Sequence, residues 1–379
     1  PSRLSVLASA DSRNLRERMY KAYTSLCSNN NEYNNEENIN KILSLRYQKA
    51  KLLGFNSFAD FMLDKVMAKT VANAEELLYK IWEPAKKKVE KEVADMQAIA
   101  DKEKAGIKIA PWDYSYYAEK VKKARYNRSD DVIRPYFSLD SVVKGMFYVA
   151  NRLHGTTFTP MPDAPKYNPE VNVYEVKDAK GEHLAVFMTD YFPRDTKRGG
   201  AWMSNIKEAA NYDGVNERPI VYNVGNMTAP TANMPSLLNI DEVQTVFHEF
   251  GHGMHGMFTR AAYRSQTGTS VDRNMVELPS QINEHWATEP EVMKVYAKHY
   301  KTGETIPDEL IAKMEAADKF NQGFTTTELC AASLLDLEWH KQPYTGHVDV
   351  AEFEKKVSEK LGKPELVEYR YRSPYFRHI

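Results

Sequence analysis

The segment TVFHEFGHGMHGMF, residues Thr245–Phe258, decides both the fold and the chemistry expected of this chain. His248, Glu249 and His252 form an H-E-x-x-H motif inside an apolar segment with helical periodicity. On an α-helix, residues four apart lie on one face, so two imidazoles can bind one metal ion while Glu249 reaches the open side of that ion. The sequence therefore predicts a helical metal site of the kind found in zinc hydrolases.

Polar residues mark the start of this helix. Asn239 is a preferred N-cap residue, and Asp241 and Glu242 place negative charge in the first turn, where it interacts favourably with the helix dipole. The apolar side chains that follow form a broad surface: Val243, Val246, Phe247, Phe250, Met254 and Met257. We therefore predict a helix that is buried on most sides.

A catalytic zinc site has three protein ligands and leaves a fourth position for water. The third ligand is expected in the segment MVELPSQINEHW, where Glu277 begins a second predicted helix and Glu284 follows two turns later. The intervening loop, residues 264–274, contains Gly268 and several hydroxyl residues, so it can turn the chain back. By itself, Glu277 would also suit a helix N-terminus because of its charge. Next to the H-E-x-x-H motif, we predict that it is the third ligand.

Composition and charge exclude several classes of protein. The chain has 379 residues, with 51 Lys and Arg against 52 Asp and Glu. This balance gives no electrostatic reason to expect binding to nucleic acid or to an anionic membrane, and no apolar run reaches the ~18 residues of a membrane helix. Cys27 and Cys330 are expected to be reduced thiols. An apolar content of 42% is enough for a large core, which we expect to be divided between two lobes.

Residues 1–150 are predicted to form a helical lobe. Apolar residues recur at spacings of three and four over 15–26, 37–53, 57–68, 72–104 and 138–153. The polar segment 28–35, Gly54 and Pro84 are expected to interrupt this pattern. The many Lys and Glu residues of 86–104 are interpreted as a solvated helix face rather than as a binding surface.

Residues 151–379 are predicted to form the catalytic region, with a small β-sheet and, further on, helices over 308–321, 326–341 and 350–361. β-Forming residues dominate in VNVYEVKD, HLAVFMTDYF and RPIVYNVGN. An edge strand beside a zinc helix can pair with a peptide and bring its carbonyl group to the metal. Gly200 and Ala201, after Gly199, would allow close approach of a peptide backbone, so we predict that they bind substrate. A plain glycine turn is an equally weighted interpretation.

Motifs along the whole chain resemble those of the M3 family of zinc metallopeptidases, and within it the peptidyl-dipeptidase (Dcp) branch. The similarity includes HEFGHGMHGMF and VELPSQINEHW, and it continues in the family's order through VFMTDYFPRDTKRGGAWM, RPIVYNVGNMT, LLDLEWH and YRSPYFRHI. The resemblance implies a mainly α-helical, zincin-like (gluzincin) metallopeptidase of two lobes with a small β-sheet. It also implies one Zn²⁺ per chain, bound by His248, His252 and Glu277, with Glu249 activating the water.

Both ends of the chain depart from the family pattern. His378 matches a family histidine that precedes a glycine- and tyrosine-rich loop thought to stabilise the oxyanion, and we predict it as a catalytic residue. The loop itself is not in the sequence, which ends at Ile379. Family members also carry a long helical region before the part that resembles Pro1 onward. We therefore expect a chain truncated at both ends that turns over slowly alone, with the remaining C-terminal segment as a candidate partner on a separate chain.

The resemblance further implies that short peptides are the substrates and that dipeptides are released from their C-terminus. Such a reaction needs a cation for the free carboxylate, and the sequence does not choose between Arg194, Lys197, Arg198 and Arg264. Two alternatives stay open: an M3 oligopeptidase that cleaves internal bonds, and a zinc-binding fragment without activity. A cytoplasmic location is expected, with the periplasm as the alternative because the chain start resembles an internal position.

Overall fold

The computed structural model describes residues 2–126 and 130–375, which are mainly helical with a small β-sheet, as the sequence predicts. The α-helices are α1 (Ser2–Ser9), α2 (Arg13–Thr24), α3 (Glu36–Leu52), α4 (Phe58–Leu63), α5 (Val71–Lys102), α6 (Tyr114–Tyr126), α7 (Asp130–Ile133), α8 (Leu139–His154), α9 (Ile240–Phe258), α10 (Arg273–Val276), α11 (Leu278–Thr288), α12 (Pro290–Tyr296), α13 (Asp308–Ala317), α14 (Gln322–His340) and α15 (Val350–Leu361). Within these described residues, no helix combines the length and the apolar character needed to cross a bilayer.

The strands form one mixed sheet and one hairpin. They are β1 (Thr157–Pro160), β2 (Asn172–Lys177), β3 (His183–Asp190), β4 (Trp202–Lys207), β5 (Ala210–Tyr212), β6 (Val215–Glu217) and β7 (Ile220–Val224). The mixed sheet has the order β1-β2-β3-β7-β4, in which β3 and β7 are parallel and the other neighbours are antiparallel. The three strands predicted from sequence are β2, β3 and β7. Strands β1, β4, β5 and β6 were not predicted, and β4 lies at one edge of the sheet.

The chain folds into two compact units. One contains the described residues up to 126 and from 316 onward, and the other contains those from 130 to 315. The predicted lobes, 1–150 and 151–379, divide the chain elsewhere. Helix α8 lies in the second unit because it packs against α9 and α12, and α14 lies in the first because it packs along α5.

Helix α5 is the longest element of the first unit, and the predicted interruption at Pro84 is wrong because the helix continues through it. Pro84 lies on the exposed side, while Trp82, Ala85 and Val89 on the opposite side are buried. A proline inside a helix costs about 3 kcal/mol. Burial of Trp82 before the proline and Val89 after it offsets that cost, because fully burying one large apolar side chain contributes about 2 kcal/mol or more.

Helix α9 lies against the sheet in the second unit. It begins as predicted, because the Asn239 side chain accepts a hydrogen bond from the Glu242 backbone and the Glu242 carboxylate accepts one from the Asn239 backbone. The ring of Phe250 packs at 5.5 Å from that of Phe187 in β3 and at 6.0 Å from that of Phe147 in α8. These aromatic contacts fix one side of α9 in the core and leave its other side to meet α11.

Candidate metal centre

A glycine allows α11 to pack directly on α9. A Cβ atom at Gly251 would lie 2.6 Å from the carbonyl oxygen of Pro279 and 2.6 Å from Cα of Ser280, so no larger residue fits there without moving α11. The amide of Asn283 donates a hydrogen bond of 2.5 Å to the carbonyl oxygen of Phe247. This close contact brings the start of α11, where Glu277 lies, next to the H-E-x-x-H turn of α9.

Three predicted ligands come together at this contact. Oε2 of Glu277 lies 3.4 Å from Nε2 of His248 and 3.2 Å from Nε2 of His252. One nitrogen from each imidazole and one carboxylate oxygen all lie within 4.8 Å of one another. Two imidazoles and one carboxylate on packed helices form the donor set of a catalytic zinc site. The residues present therefore fit the ion that the sequence predicts.

Neighbouring side chains orient two of these ligands. Nδ1 of His248 lies 2.6 Å from Oε1 of Glu284, which lies in α11 about two turns after Glu277. Nε2 of His248 is therefore the nitrogen directed at the other two ligand atoms. The hydroxyl of Ser280 donates a hydrogen bond of 2.9 Å to Oε2 of Glu277. Such outer contacts fix the tautomer and the direction of a metal ligand. From the sequence, Glu284 is named only as a second acidic residue, although its position two turns after Glu277 places both on one helix face.

Glu249 lies beside this cluster and is 6% exposed. Burial raises its pKa to about 7, the positive charge of His248 opposes that rise, and the negative charge of Glu277 adds to it. Its Oε2 atom makes no hydrogen bond with any residue that the structure describes. A buried carboxylate with a free oxygen and a pKa near neutrality is suited to accept and release a proton at physiological pH.

Two buried polar side chains that were not predicted from the sequence, Tyr191 and Asn223, lie near His252. Nδ1 of His252, the hydroxyl of Tyr191 and both side-chain polar atoms of Asn223 are buried and make no hydrogen bond with the described residues. A Cβ atom at Gly253 would lie 3.1 Å from Oδ1 of Asn223, so this amide lies directly against α9 beside His252. No sequence signal pointed to it, because the contact depends on how the helix lies across β7.

The direction of α9 across the sheet shows which end of β4 lies near the H-E-x-x-H motif. Cβ positions at Gly256 and Gly253 lie near Val221 and Asn223 respectively, so α9 runs antiparallel to β7. The H-E-x-x-H residues therefore lie toward the end of β7, where Val224 pairs with Trp202 at the start of β4. Among the described strands of this sheet, β4 pairs only with β7, so its other edge has no strand partner there.

The predicted substrate-binding residues lie at this same end of β4. Gly200 has φ of +91°, and Ala201 immediately precedes the strand. A Cβ atom at Gly199 or Gly200 would meet no atom within 4 Å, so this backbone borders open space. The positive φ agrees with a glycine turn, and the open side agrees with access for a peptide. His378, the other predicted catalytic residue, lies outside the described residues.

Known proteins are similar to this chain over almost its whole length. A family model described as Peptidase family M3 matches residues 6–379. Dipeptidyl carboxypeptidase of Escherichia coli is 40% identical over 377 residues, which are 98% of this chain and 55% of that protein. Oligopeptidase A of Salmonella typhimurium is 37% identical over 348 residues, 90% of this chain and 51% of that protein. Organellar oligopeptidase A of Arabidopsis thaliana is 37% identical over 395 residues, 100% of this chain and 49% of that protein. The chain thus spans about half the length of the curated relatives that it matches.

Proposed function

Because the chain belongs to peptidase family M3, we propose that it hydrolyses short peptides at one Zn²⁺ ion bound by His248, His252 and Glu277. Family membership confirms the resemblance and the metallopeptidase class predicted from the sequence. The observation that carries the proposal is the meeting of three ligand atoms within 4.8 Å beside the buried Glu249. A zincin-like architecture of two lobes and a cytoplasmic location are further parts of this proposal.

The chemistry follows from the roles of the side chains. Zinc at this site would lower the pKa of water toward neutrality and polarise the carbonyl group of the peptide. Glu249 takes a proton from the attacking water as the new C–O bond forms, and it gives that proton to the amine as the C–N bond breaks. Glu284 holds His248 in the tautomer that leaves Nε2 free, and Ser280 holds the carboxylate of Glu277. His378 remains a predicted catalytic residue.

The substrate is proposed to pair with the free edge of β4. An extended peptide that adds to a sheet edge gains backbone hydrogen bonds along the strand, and the H-E-x-x-H residues lie toward the start of β4. Gly200 and Ala201 border this approach. Similarity to a dipeptidyl carboxypeptidase favours release of dipeptides from the C-terminus. Similarity to oligopeptidase A favours, as the second candidate, cleavage of internal bonds.

Metal analysis and peptide digestion test the proposal together. We expect one zinc per chain, peptide hydrolysis that a chelator removes and zinc restores, and products shortened by two residues from the C-terminus in mass spectra. Products from internal cleavage would favour the second candidate. Zinc binding without hydrolysis would favour a silent zinc-binding fragment, and absence of zinc binding would refute the site.

A further inference from the structure

Three side chains between α9 and the sheet carry buried polar atoms that have no protein partner. These atoms are Oε2 of Glu249, the hydroxyl of Tyr191, and both Nδ2 and Oδ1 of Asn223. None of the four makes a hydrogen bond with residues 2–126 or 130–375. Buried polar groups in folded proteins are nearly always paired, either with protein or with an ordered water, because an unpaired one costs free energy. Four such atoms in one region therefore call for a common partner.

The register of α9 over β7 places Glu249 near the end of that strand. Helix and strand run antiparallel, and a Cβ atom at Gly253 would lie 3.1 Å from Oδ1 of Asn223. Glu249 is four residues before Gly253 and so lies one turn away on the same helix face. In the other chain direction, Gly225 is two residues after Asn223 and faces the same side of the sheet. Its backbone still donates a hydrogen bond to the carbonyl oxygen of Asp190 in β3. Glu249 therefore lies over Gly225.

Tyr191 occupies the space beside Gly225. Its Cδ1 atom lies 3.3 Å from the position that a Cβ at Gly225 would take, so the glycine leaves room for the ring. Burial raises the pKa of Tyr191, and electrostatic interactions with Tyr174 and Glu249 add to that rise. The side chain of Asn223 opposes the rise. The hydroxyl is thus close to both Glu249 and Asn223, although no pair of these atoms has the geometry of a direct hydrogen bond.

One water molecule would satisfy all four atoms. Oε2 of Glu249 and Oδ1 of Asn223 only accept hydrogen bonds, Nδ2 of Asn223 only donates, and the Tyr191 hydroxyl does both. A water donates to the two acceptors with its two protons and accepts the proton of the Tyr191 hydroxyl. The oxygen of that hydroxyl then accepts from Nδ2 of Asn223. Buried waters typically make about three hydrogen bonds to polar groups that are otherwise unpaired, which is the number required here.

We propose that Tyr191 and Asn223 hold a buried water that fixes Oε2 of Glu249, and that Tyr191 is thereby a positioning residue for the base. This inference rests on the proposed peptidase function. With Oε2 held on the inner side, Oε1 is the oxygen left to take the proton of the attacking water. Holding a reacting group in its productive geometry raises the rate, because a displacement of about 1 Å can cost about 10²-fold.

The kinetic test uses Tyr191→Phe, which removes the hydroxyl and keeps the ring beside Gly225. We expect kcat to fall about tenfold, the lower end of the effect of one hydrogen bond to a charged group. KM and zinc content should stay at the wild-type values, because Tyr191 is buried beneath Glu249. Tyr222→Phe is the matched control and should keep the wild-type kcat, since this half-buried tyrosine of β7 lies on the opposite face of the sheet from Asn223. An unchanged kcat in Tyr191→Phe, or a lower rate explained by lost zinc or a higher KM, would overturn the positioning role.

A second readout needs neither zinc nor turnover. In a double-mutant cycle, urea denaturation measures Tyr191→Phe in the wild-type background and in Glu249→Leu, which has no oxygen to accept a proton of the water. We expect Tyr191→Phe to lower the urea midpoint in the wild type and to lower it clearly less in Glu249→Leu. Tyr222→Phe should have the same effect in both backgrounds.

Two results of this cycle would overturn the shared water. One is a Tyr191→Phe protein at least as stable as wild type, which would mean that the hydroxyl has no partner. The other is an equal loss of stability in both backgrounds, which would mean that the hydroxyl does not act on Glu249. Absence of zinc binding or hydrolysis in the wild type would instead refute the proposed function, and the cycle would still decide whether Tyr191 and Glu249 are coupled.

Discussion

Two buried carboxylates of the same unit, Asp190 and Glu249, have opposite surroundings. Asp190 is 1% exposed and accepts hydrogen bonds from Arg194, Lys197 and the hydroxyl of Tyr167. Glu249 is 6% exposed, and its Oε2 atom accepts none from any described residue. The first acid is saturated with donors, whereas the second is buried without them.

The two surroundings shift the proton affinity in opposite directions. Burial raises the pKa of Asp190, but hydrogen bonds from Arg194, Lys197 and Tyr167 outweigh that effect and hold the pKa below its ordinary value. Burial raises the pKa of Glu249 to about 7, and the charge of His248 opposes that rise only in part. A buried acid therefore stabilises the fold when all its hydrogen-bond donors are present, and it is available for proton transfer when they are missing.

The largest expected effect is the loss of hydrolysis when Glu249, the acid without hydrogen-bond donors, is replaced. Glu249→Gln keeps the size of the side chain but cannot accept the proton of the water. We expect hydrolysis to fall by roughly 10³-fold or more, because general base catalysis typically contributes 10²- to 10⁴-fold. Zinc content should remain at the wild-type value, since Glu249 is not one of the proposed ligands. A variant with full zinc and more than a tenth of the wild-type rate would exclude Glu249 as the base.

The same substitution at Asp190 should act on stability instead. Asp190→Asn leaves Lys197 buried with its charge unpaired, which is expected to lower the free energy of unfolding by about 3–5 kcal/mol at pH 7. Asp195→Asn, an exposed change in the same loop, is the control and should be within about 0.5 kcal/mol of wild type. Urea denaturation measures both variants. Equal stability of the two would show that the Asp190 cluster does not hold the loop.

The pH dependence of that difference sharpens the comparison. A carboxylate whose pKa is lower in the folded state stabilises the fold above its unfolded pKa, here the ordinary value of 3.8. The stabilisation is lost as the pH falls through the lower, folded pKa. We therefore expect wild type and Asp190→Asn to differ fully near pH 7 and to converge progressively as the pH falls below 3.8. A difference that stays constant between pH 7 and pH 3 would contradict this.

The sequence predicted the parts of the site that depend on local pattern, and missed those that depend on distant pairing. The helix of the H-E-x-x-H motif begins at the predicted cap, because Asn239 and Glu242 are three residues apart and interact within one turn. Strand β4 was not predicted, because its partner β7 joins the sheet beside β3 only after an intervening hairpin. The alternation of Met203 and Asn205, which face α9, was the available signal.

The contact of α9 with α11 provides a test of intermediate size. In Gly251→Ala, the added methyl group would meet the backbone of Pro279 and Ser280 at 2.6 Å, and backbone cannot rotate away as a flexible side chain can. We expect a loss of about 1–3 kcal/mol of stability, together with weaker zinc binding because Glu277 moves with α11. Gly199→Ala, where a Cβ meets no atom within 4 Å, is the control for stability and zinc affinity. If both variants bind zinc as wild type does, the close helix contact is not what assembles the ligands.

The smallest expected effect concerns Glu284, an acid intermediate between the other two because it is half-buried and has one partner, His248. Glu284→Gln keeps an oxygen that can accept a hydrogen bond from Nδ1–H of His248 but removes the charge that strengthens the 2.6 Å contact. Zinc affinity, measured by competition with a chelator, should fall about tenfold, the lower end of the range for outer contacts of metal ligands. Glu289→Gln, at the end of the same helix, should leave the affinity unchanged. Because Glu284 acts only through His248, its loss should weaken zinc binding. At saturating zinc, kcat should fall far less than in Glu249→Gln. A fall in kcat as large as that in Glu249→Gln would mean that Glu284 itself takes part in proton transfer.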